Sequence, residues 1–327
     1  MSRISLLGKT INLKNKLLQL AMLIISFIIL IMMPLINVSD YLLNIIIRFF
    51  IMFGIVASWN ILSGYTRYIN FGQITFYGLS AYICSIAIKY INLPVWSAIL
   101  LGIFASILLG IIIGGVSLRL SGPHFTITTL ITLFVVSTIF SNLQDFIEGA
   151  TSEIWLPPVL VGSARMFVFY YIFFGIFAFT SLLIYWLEKT KFGLMLKAIG
   201  NDENEAMKLG INTTIEKLKA FLIGSAMAGT IGALHALYLS YVDVPVVLAP
   251  IATFLVVYIA IMGGAGIWFG PLLGALIYVP VDELLTVMTA NPLYSRLLYG
   301  LLFVIIMFFI PDGIGGYIYK RVKFRGE

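Results

Sequence analysis

The sequence predicts an all-α fold, a polytopic transmembrane helical bundle with about ten spans and an N-in/C-in topology. Of the 327 residues, 61% are hydrophobic and only 10% are charged, whereas soluble domains carry about 25% charged residues. A soluble fold cannot hide this much apolar surface, because much of its surface must face water. The composition therefore excludes a soluble enzyme, a nucleic-acid-binding domain and a disordered chain.

The second observation is the position of the charges, which lie between long apolar runs. A charge at the bilayer centre is costly and a helix needs about 20 residues to cross, so uncharged runs mark the spans. These runs lack the period-two alternation of outer-membrane strands, which favours helices over a barrel. The predicted spans are residues 17–36, 41–62, 70–89, 95–118, 124–142, 166–187, 219–241, 247–263, 269–288 and 292–310.

Two of these assignments have alternatives. The first span follows a basic segment and resembles a signal peptide, but its length and the lack of a small-residue cleavage site favour a retained span. The eighth and ninth spans share an uncharged stretch, residues 244–281, which is interrupted by glycines at 263–266. This stretch can hold two full spans or a re-entrant pair.

Lys and Arg residues set the predicted orientation. With the N-terminus in the cytoplasm, 16 of the 20 basic residues fall on the cytoplasmic side, as the positive-inside rule requires. The chain then divides into a cytoplasmic N-terminal segment (1–16), a transmembrane domain (17–311) and a cytoplasmic tail (312–327). Two connections are long, an external segment at about 143–165 and a cytoplasmic loop at about 188–218.

Ionisable groups are scarce inside the predicted spans. Arg48 lies within a span, where snorkelling or a local ion pair can accommodate it. Asp282 and Glu283 lie near the outer end of the ninth span, and His124 and His235 have no metal-ligand neighbours in sequence. The sequence contains no zinc-protease, Walker or hydrolase-triad motif. It therefore predicts no metal, cofactor or catalytic site in this chain and disfavours an ion-coupled carrier.

Polar side chains open the third span at Asn70, Gln73 and Thr75. Such groups are costly against lipid, so they are expected to face the protein interior or water. Amides donate and accept hydrogen bonds, which suits a neutral or zwitterionic solute. A possible solute path and an interhelical hydrogen-bond clamp explain these residues equally well.

Small residues recur at a spacing of four in two predicted helices. Such faces allow close approach of helix backbones. The positions predicted to serve helix packing are Gly224 and Gly232 in one stripe and Gly266, Gly270 and Gly274 in a GxxxGxxxG pattern.

The loop at 188–218 contains a short amphipathic segment. Helix-forming residues run from Glu203 to Leu209, with Asn201 or Asp202 as a candidate N-cap and Gly210 as a C-terminal stop. A short helix held between two spans is suited to receive a push from a soluble partner. A solvated connector is the alternative.

The segment Glu205-Ala206-Met207-Lys208-Leu209-Gly210 resembles the EAA-type coupling loop of ABC importer permeases. The chain as a whole resembles branched-chain amino-acid permeases of the LivM/LivH type, and LivM more closely. The matching motifs follow in the family's order and include Asn70-Phe71-Gly72-Gln73, Ala228-Gly229, Gly232-Ala233-Leu234, Gly263-Gly264-Ala265-Gly266, Gly270-Pro271 and Pro311-Asp312-Gly313.

This resemblance implies a multi-pass permease subunit in a prokaryotic cell membrane, not an enzyme. The implied partners are a second permease subunit, two cytoplasmic ABC ATPases that use ATP, and an external solute-binding protein. The implied ATPase-coupling residues are Glu203, Glu205, Ala206 and Gly210. The expected solute is a branched-chain amino acid or a related small polar molecule. A stand-alone secondary transporter or channel is the alternative function.

Overall fold

A computed structural model describes residues 27–36, 38–120, 122–148, 153–160, 162–289, 292–309 and 313–317. The helices in the first half are α1 (Phe27–Ile36), α2 (Asp40–Trp59), α3 (Gln73–Lys89), α4 (Val95–Ser117), α5 (Gly122–Glu148) and α6 (Ser163–Lys189). A π-helical turn, Asn60–Gly64, extends α2.

The second half begins with two short helices in the predicted loop and continues with longer ones. These helices are α7 (Lys191–Asn201), α8 (Glu203–Lys208), α9 (Thr213–Leu239), α10 (Val244–Val247), α11 (Pro250–Gly263), α12 (Gly270–Thr289) and α13 (Pro292–Phe309). We call the bundle end that carries α7 and α8 the loop end.

A multi-pass membrane protein built from helices is confirmed. Among the described residues, seven helical stretches are long and apolar enough to cross a membrane: α2 with its extension, α4, α5, α6, α9, α10 with α11, and α12. α3 has 17 residues, or about 26 Å at the rise of an α-helix, slightly less than a hydrocarbon core of about 30 Å. The count of ten spans and the side of each terminus stay predictions. Residues 17–26 of the first span lie outside the described residues.

The interior of the bundle is formed around α2, α3 and α9. About 72% of the most apolar stretch of α2 and of α9 is buried, against 22% in α5 and in α12. α9 can occupy the centre because its small residues let neighbours approach. α3 and α4 pack on α9, and α6 packs on α2. The exposed apolar faces of α4, α5 and α13 are left for lipid or another subunit.

One element adds to the helical architecture. The strands β1 (Ile154–Trp155) and β2 (Tyr241–Val242) pair antiparallel, with Ile154 opposite Val242. This ribbon connects the segment before α6 to the end of α9, at the end opposite the loop end. Each strand has only two residues, which is too short for a periodic residue pattern to predict it.

The prediction that Gly266, Gly270 and Gly274 lie on one helix face is wrong for Gly266. Gly264 and Gly266 have φ values of +108° and +80° in the turn between α11 and α12, a conformation that favours glycine over residues with a side chain. α12 begins only at Gly270. The helix face therefore contains Gly270 and Gly274, while Gly266 shapes the turn.

Candidate coupling site and solute path

Two capped helices form the loop end. The Asp202 side chain accepts hydrogen bonds from the backbone N–H groups of Asn204 (2.8 Å) and Glu205 (3.0 Å), which places it at the N-cap of α8. The Ile211 N–H bonds to the Ala206 carbonyl and the Gly210 N–H to the Met207 carbonyl. With Gly210 at φ +83°, these bonds form a Schellman motif. The short helix predicted at Glu203–Leu209 is confirmed as Glu203–Lys208, and of the two candidate caps, Asn201 and Asp202, the structure uses Asp202.

Glu203 connects α8 to two other parts of the bundle. Its carboxylate accepts hydrogen bonds from Lys217 Nζ (2.6 Å) in α9 and from the Tyr68 hydroxyl (2.5 Å) in the turn before α3. The Lys217 side chain is only 2% exposed and lies over the Tyr68 ring, 4.0 Å from its centroid. Glu203, Lys217 and Tyr68 form what we call the coupling triad.

The charge of Glu203 persists at neutral pH. Burial alone would raise the pKa of this carboxyl, but hydrogen bonds from Lys217, Tyr68 and Thr213 outweigh it and lower the pKa below its usual value. Burial and the neighbouring Glu203 carboxylate raise the Tyr68 pKa, so this phenol stays protonated and can donate. The triad therefore combines an ion pair with a charge-assisted hydrogen bond.

The outer surface of the loop end is partly apolar. Leu194, Met207 and Leu209 are exposed, and Leu209 has 78% of its surface accessible. Ala206 is buried, whereas Glu205 pairs with Lys208 on the surface. A helix that exposes apolar side chains beside charged ones is suited to contact a protein partner.

The polar residues at the start of α3 are buried and connected to one another. Asn70 Nδ2 donates to Gln73 Oε1 (3.0 Å), and Gln73 Nε2 donates to Ser58 Oγ (2.7 Å) and to the Gly224 carbonyl (3.0 Å). These bonds join α2, α3 and α9, as the clamp interpretation requires. Thr75 Oγ1 is buried without a hydrogen-bond partner among the described atoms. A role in the solute path stays a prediction for all three residues.

The coupling triad lies close to this clamp along the chain. Tyr68 precedes Asn70 by two residues, and Gly200 of α7 packs so tightly on the end of the π-helical extension of α2 that an added Cβ would lie 2.2 Å from the Tyr65 carbonyl oxygen. A displacement of α7 and α8 would therefore reach the start of α3 directly. Sequence reasoning missed Tyr68 and Lys217, because neither belongs to a motif. Tyr68 lies far from Glu203 along the chain, and Lys217 lies beyond a turn.

The remaining predicted packing glycines lie against backbone atoms of neighbouring segments. A Cβ on Gly232 would lie 2.0 Å from the Tyr77 carbonyl oxygen, and one on Gly224 would lie 2.8 Å from that of Ser58. At Gly270 and Gly274 the corresponding distances to carbonyl oxygens are 2.0 and 2.2 Å. A side chain at Gly224, Gly232 or Gly274 would force neighbouring helices apart, and one at Gly270 would collide with the turn that follows α11.

Arg48 forms ion pairs with two carboxylates on α12. Its guanidinium contacts Asp282 at 2.5 Å and Glu283 at 2.7 Å, and Tyr41 donates to Glu283 at 2.6 Å. A pair across the bundle, not snorkelling alone, accommodates this arginine. In the part of the chain that the structure describes, no group of three or more His, Cys, Asp or Glu side chains could hold a metal ion.

Comparison with known proteins identifies the family. The family described as "Branched-chain amino acid transport system / permease component" matches residues 41–307, most of the chain. This chain belongs to that family. No solved structure matches it.

Individual relatives of this permease family member are distant. The LivM branched-chain amino acid permease of Salmonella typhimurium is 26% identical over 78% of this chain, which spans 65% of the relative's length. A probable LivM of Methanocaldococcus jannaschii is 28% identical over 66% of this chain and 68% of its own. The galactose/methyl galactoside import permease MglC of Salmonella typhimurium is 27% identical over 64% and 65%. The named relatives are transport permeases, not enzymes.

Proposed function

We propose that this chain is the membrane-spanning permease subunit of an ABC importer, and that it translocates branched-chain amino acids or a related small polar solute. The observation that carries this function is the coupling triad, which connects the partly exposed helix α8 to the central helix α9 and to the turn before α3. Family membership over residues 41–307 supports the same assignment, and the names of the LivM relatives support the solute class.

The proposed complex contains further subunits. A second permease completes the pore, two ABC ATPases dock at the loop end and use ATP, and an external binding protein delivers the solute. This chain binds no cofactor of its own. We place the loop end, residues 1–16 and residues 312–327 in the cytoplasm of a prokaryotic cell, because this orientation puts 16 of the 20 basic residues on the cytoplasmic side.

The proposed mechanism begins at the exposed surface of α8. ATPase closure displaces Met207 and Leu209, and Glu203 passes this displacement to α9 through Lys217 and to the turn before α3 through Tyr68. The turn moves Asn70 and Gln73, whose hydrogen bonds reach Ser58 and Gly224. Opening of this clamp would expose polar groups to the solute, so one cluster of residues serves both as clamp and as path.

A stand-alone carrier driven by an ion gradient has less support. Such carriers use ionisable groups at membrane depth. In the described spans, Arg48 forms ion pairs with Asp282 and Glu283, so these ionisable groups make a structural contact between α2 and α12.

Co-purification and uptake test the proposed function together. The affinity-tagged chain, expressed with its genomic neighbours, should retain an ABC ATPase, and vesicles should take up leucine only with ATP. Leu209→Asp should reduce ATPase retention and uptake by more than about tenfold, because it places a charge within an apolar contact.

Leu209→Met is the matched control, since it keeps an apolar side chain of similar size and should retain docking. Uptake that is independent of ATP, or normal ATPase retention by Leu209→Asp in a well-expressed protein, would contradict the proposal.

A further inference from the structure

A cavity of about 460 Å³ opens at the end of the bundle opposite the loop end. It lies between the first turn of α2, the start of α6 and the end of α9. Its volume is typical of small-molecule sites, which measure about 300–1,000 Å³. The lining residues are Asp40, Asn44, Gly162, Arg165, Met166, Tyr238 and Leu239. Neither the coupling triad nor the Asn70–Gln73 clamp contributes to it.

The cavity combines both signs of charge with apolar surface. Asp40 supplies a carboxylate and Arg165 a guanidinium, while Met166 and Leu239 supply apolar atoms. Among the described residues, Asp40 forms no ion pair with a basic side chain. The two charges therefore remain available to a ligand that carries both signs.

Tyr238 orients Arg165 and is hydrogen-bonded to Asn44 in the first turns of α2, the helix that Asp40 begins. Arg165 donates to the Tyr238 carbonyl and lies over its ring, 5.9 Å from the centroid. The Tyr238 hydroxyl donates to Asn44 Oδ1, and Asn44 Nδ2 donates to the Asp40 carbonyl oxygen at 3.0 Å. A guanidinium has five N–H donors, so the bond to Tyr238 orients Arg165 and still leaves donors for a carboxylate.

We infer that this cavity binds a zwitterionic α-amino acid with an aliphatic side chain on the face opposite the ATPases. Arg165 binds the carboxylate, Asp40 binds the ammonium group, and Met166 and Leu239 contact the aliphatic side chain. Arg matches a carboxylate in planar, bidentate geometry. The inference rests on the proposed function for its direction of transport, and it adds the site at which the solute first meets this subunit.

Ligand discrimination by the full-length chain in lipid nanodiscs tests this site. Calorimetric titrations would compare L-leucine with leucinamide, which lacks the carboxylate, and with 4-methylpentanoate, which lacks the ammonium group. Each analogue should bind about tenfold or more weakly than leucine, because each loses one charge-assisted contact.

Two variants should each abolish the preference for leucine over one of the two analogues. Arg165→Gln should bind leucine as weakly as leucinamide and leave leucinamide affinity unchanged. Asp40→Asn should bind leucine as weakly as 4-methylpentanoate and leave that affinity unchanged. Lys89→Gln is the control, since it removes a positive charge at the same end of the bundle outside the cavity.

A chain that binds no leucine, or variants that weaken all three ligands equally, would overturn the binding site. These titrations need no ATPase, so their failure is separate from failure of the proposed function. ATP-dependent uptake without saturable leucine binding by this chain would refute the cavity site and leave the importer assignment intact. Loss of ATPase retention would refute the importer assignment alone.

Discussion

Lys217 is the residue on which the coupling triad depends most. Its side chain is 2% exposed and its ammonium group lies 2.6 Å from Glu203. Lys208 of α8 makes a similar contact with Glu205 at 2.7 Å, but both side chains are exposed, at 71% and 61%. Removal of one partner from a buried ion pair leaves an uncompensated charge, whereas an exposed pair contributes little.

The substitution Lys217→Met should therefore lower the free energy of unfolding by about 2 kcal/mol, less than for a fully buried pair because Glu203 is 26% exposed. It should also reduce ATP-driven uptake. Lys208→Met is the control for stability and should stay within about 0.5 kcal/mol, because it removes an exposed ion pair. Thermal unfolding in nanodiscs measures both, and equal effects of the two substitutions would contradict the role of the triad.

Gly232 tests close packing at the centre of the bundle. An added Cβ would lie 2.0 Å from the Tyr77 carbonyl oxygen, so α9 and α3 must separate. We expect Gly232→Ala to destabilise the chain by about 2 kcal/mol, as overpacked cores do.

The matched control is Gly175→Ala in α6, where the added Cβ would have no atom within 4 Å apart from the adjoining backbone of its own helix. Alanine is the better helix former, so this variant should be neutral or more stable by up to about 1 kcal/mol. Comparable melting temperatures for the two variants would show that the packing argument is wrong.

Residue patterns predicted part of this local picture. The spacing of Gly224 and Gly232 indicated a packing face, since helical periodicity places them on one side. The partners of Arg48 could not be predicted from sequence, because Asp282 and Glu283 lie more than 230 positions away. Short-range patterns carry no information about which helices become neighbours.

At the scale of elements, α8 is defined by its two ends. Asp202 satisfies free backbone donors at the start and Gly210 provides the left-handed residue at the end. Both ends were predicted from sequence, since cap signals are local and depend on residue type. The connection of α8 to α9 and to the turn before α3 depends on the fold.

Glu205→Pro should abolish uptake and leave membrane insertion intact. Proline removes the N–H that donates to Asp202 at 3.0 Å, and a helix of six residues has few other bonds. Glu205→Ala distinguishes the contribution of the backbone from that of the side chain, because it keeps the N–H and loses only an exposed ion pair. Near-normal uptake by Glu205→Ala and none by Glu205→Pro is the expected pattern, and near-normal uptake by both would refute it.

Gly210→Trp should also abolish uptake, for two reasons. The backbone at φ +83° disfavours a side chain, and a bulky indole would project into open space beside the exposed Leu209. Gly210→Asn is the control, since asparagine tolerates this conformation. Uptake and ATPase retention measure the outcome, and normal values for Gly210→Trp would exclude this surface as the docking site.

At the scale of the whole molecule, the bundle has two ends with different chemistry. The loop end carries the coupling triad, and the opposite end carries the β-ribbon and the cavity beside Arg165. An ATP-driven importer needs this separation, because energy and solute arrive from different sides of the membrane.

Cysteine labelling tests this polarity. Cys84 is buried and is the one cysteine of the sequence, so Cys84→Ala provides a clean background. A cysteine at Asn204 should react with an impermeant maleimide only from the cytoplasmic side, and one at Trp155 only from outside. Reaction of both from the same side would contradict the placement of the loop end and the β-ribbon on opposite sides of the membrane.

The sequence by itself determined that lipid surrounds most of this protein, that its elements are helices, and where most of these helices lie along the chain. Scarce charge means that lipid surrounds most of the chain, and long apolar runs must be helical to satisfy their backbone groups. Cap residues and the EAA-type segment located α8 before any contact was known.

Only the tertiary structure decided which polar groups meet. Tyr68, Glu203 and Lys217 come from three different segments, and Asp40 and Arg165 come from helices separated by three others. Composition and periodicity indicate which segments are surrounded by lipid and which by water. A site depends instead on how distant segments pack together, and this packing is a property of the whole chain.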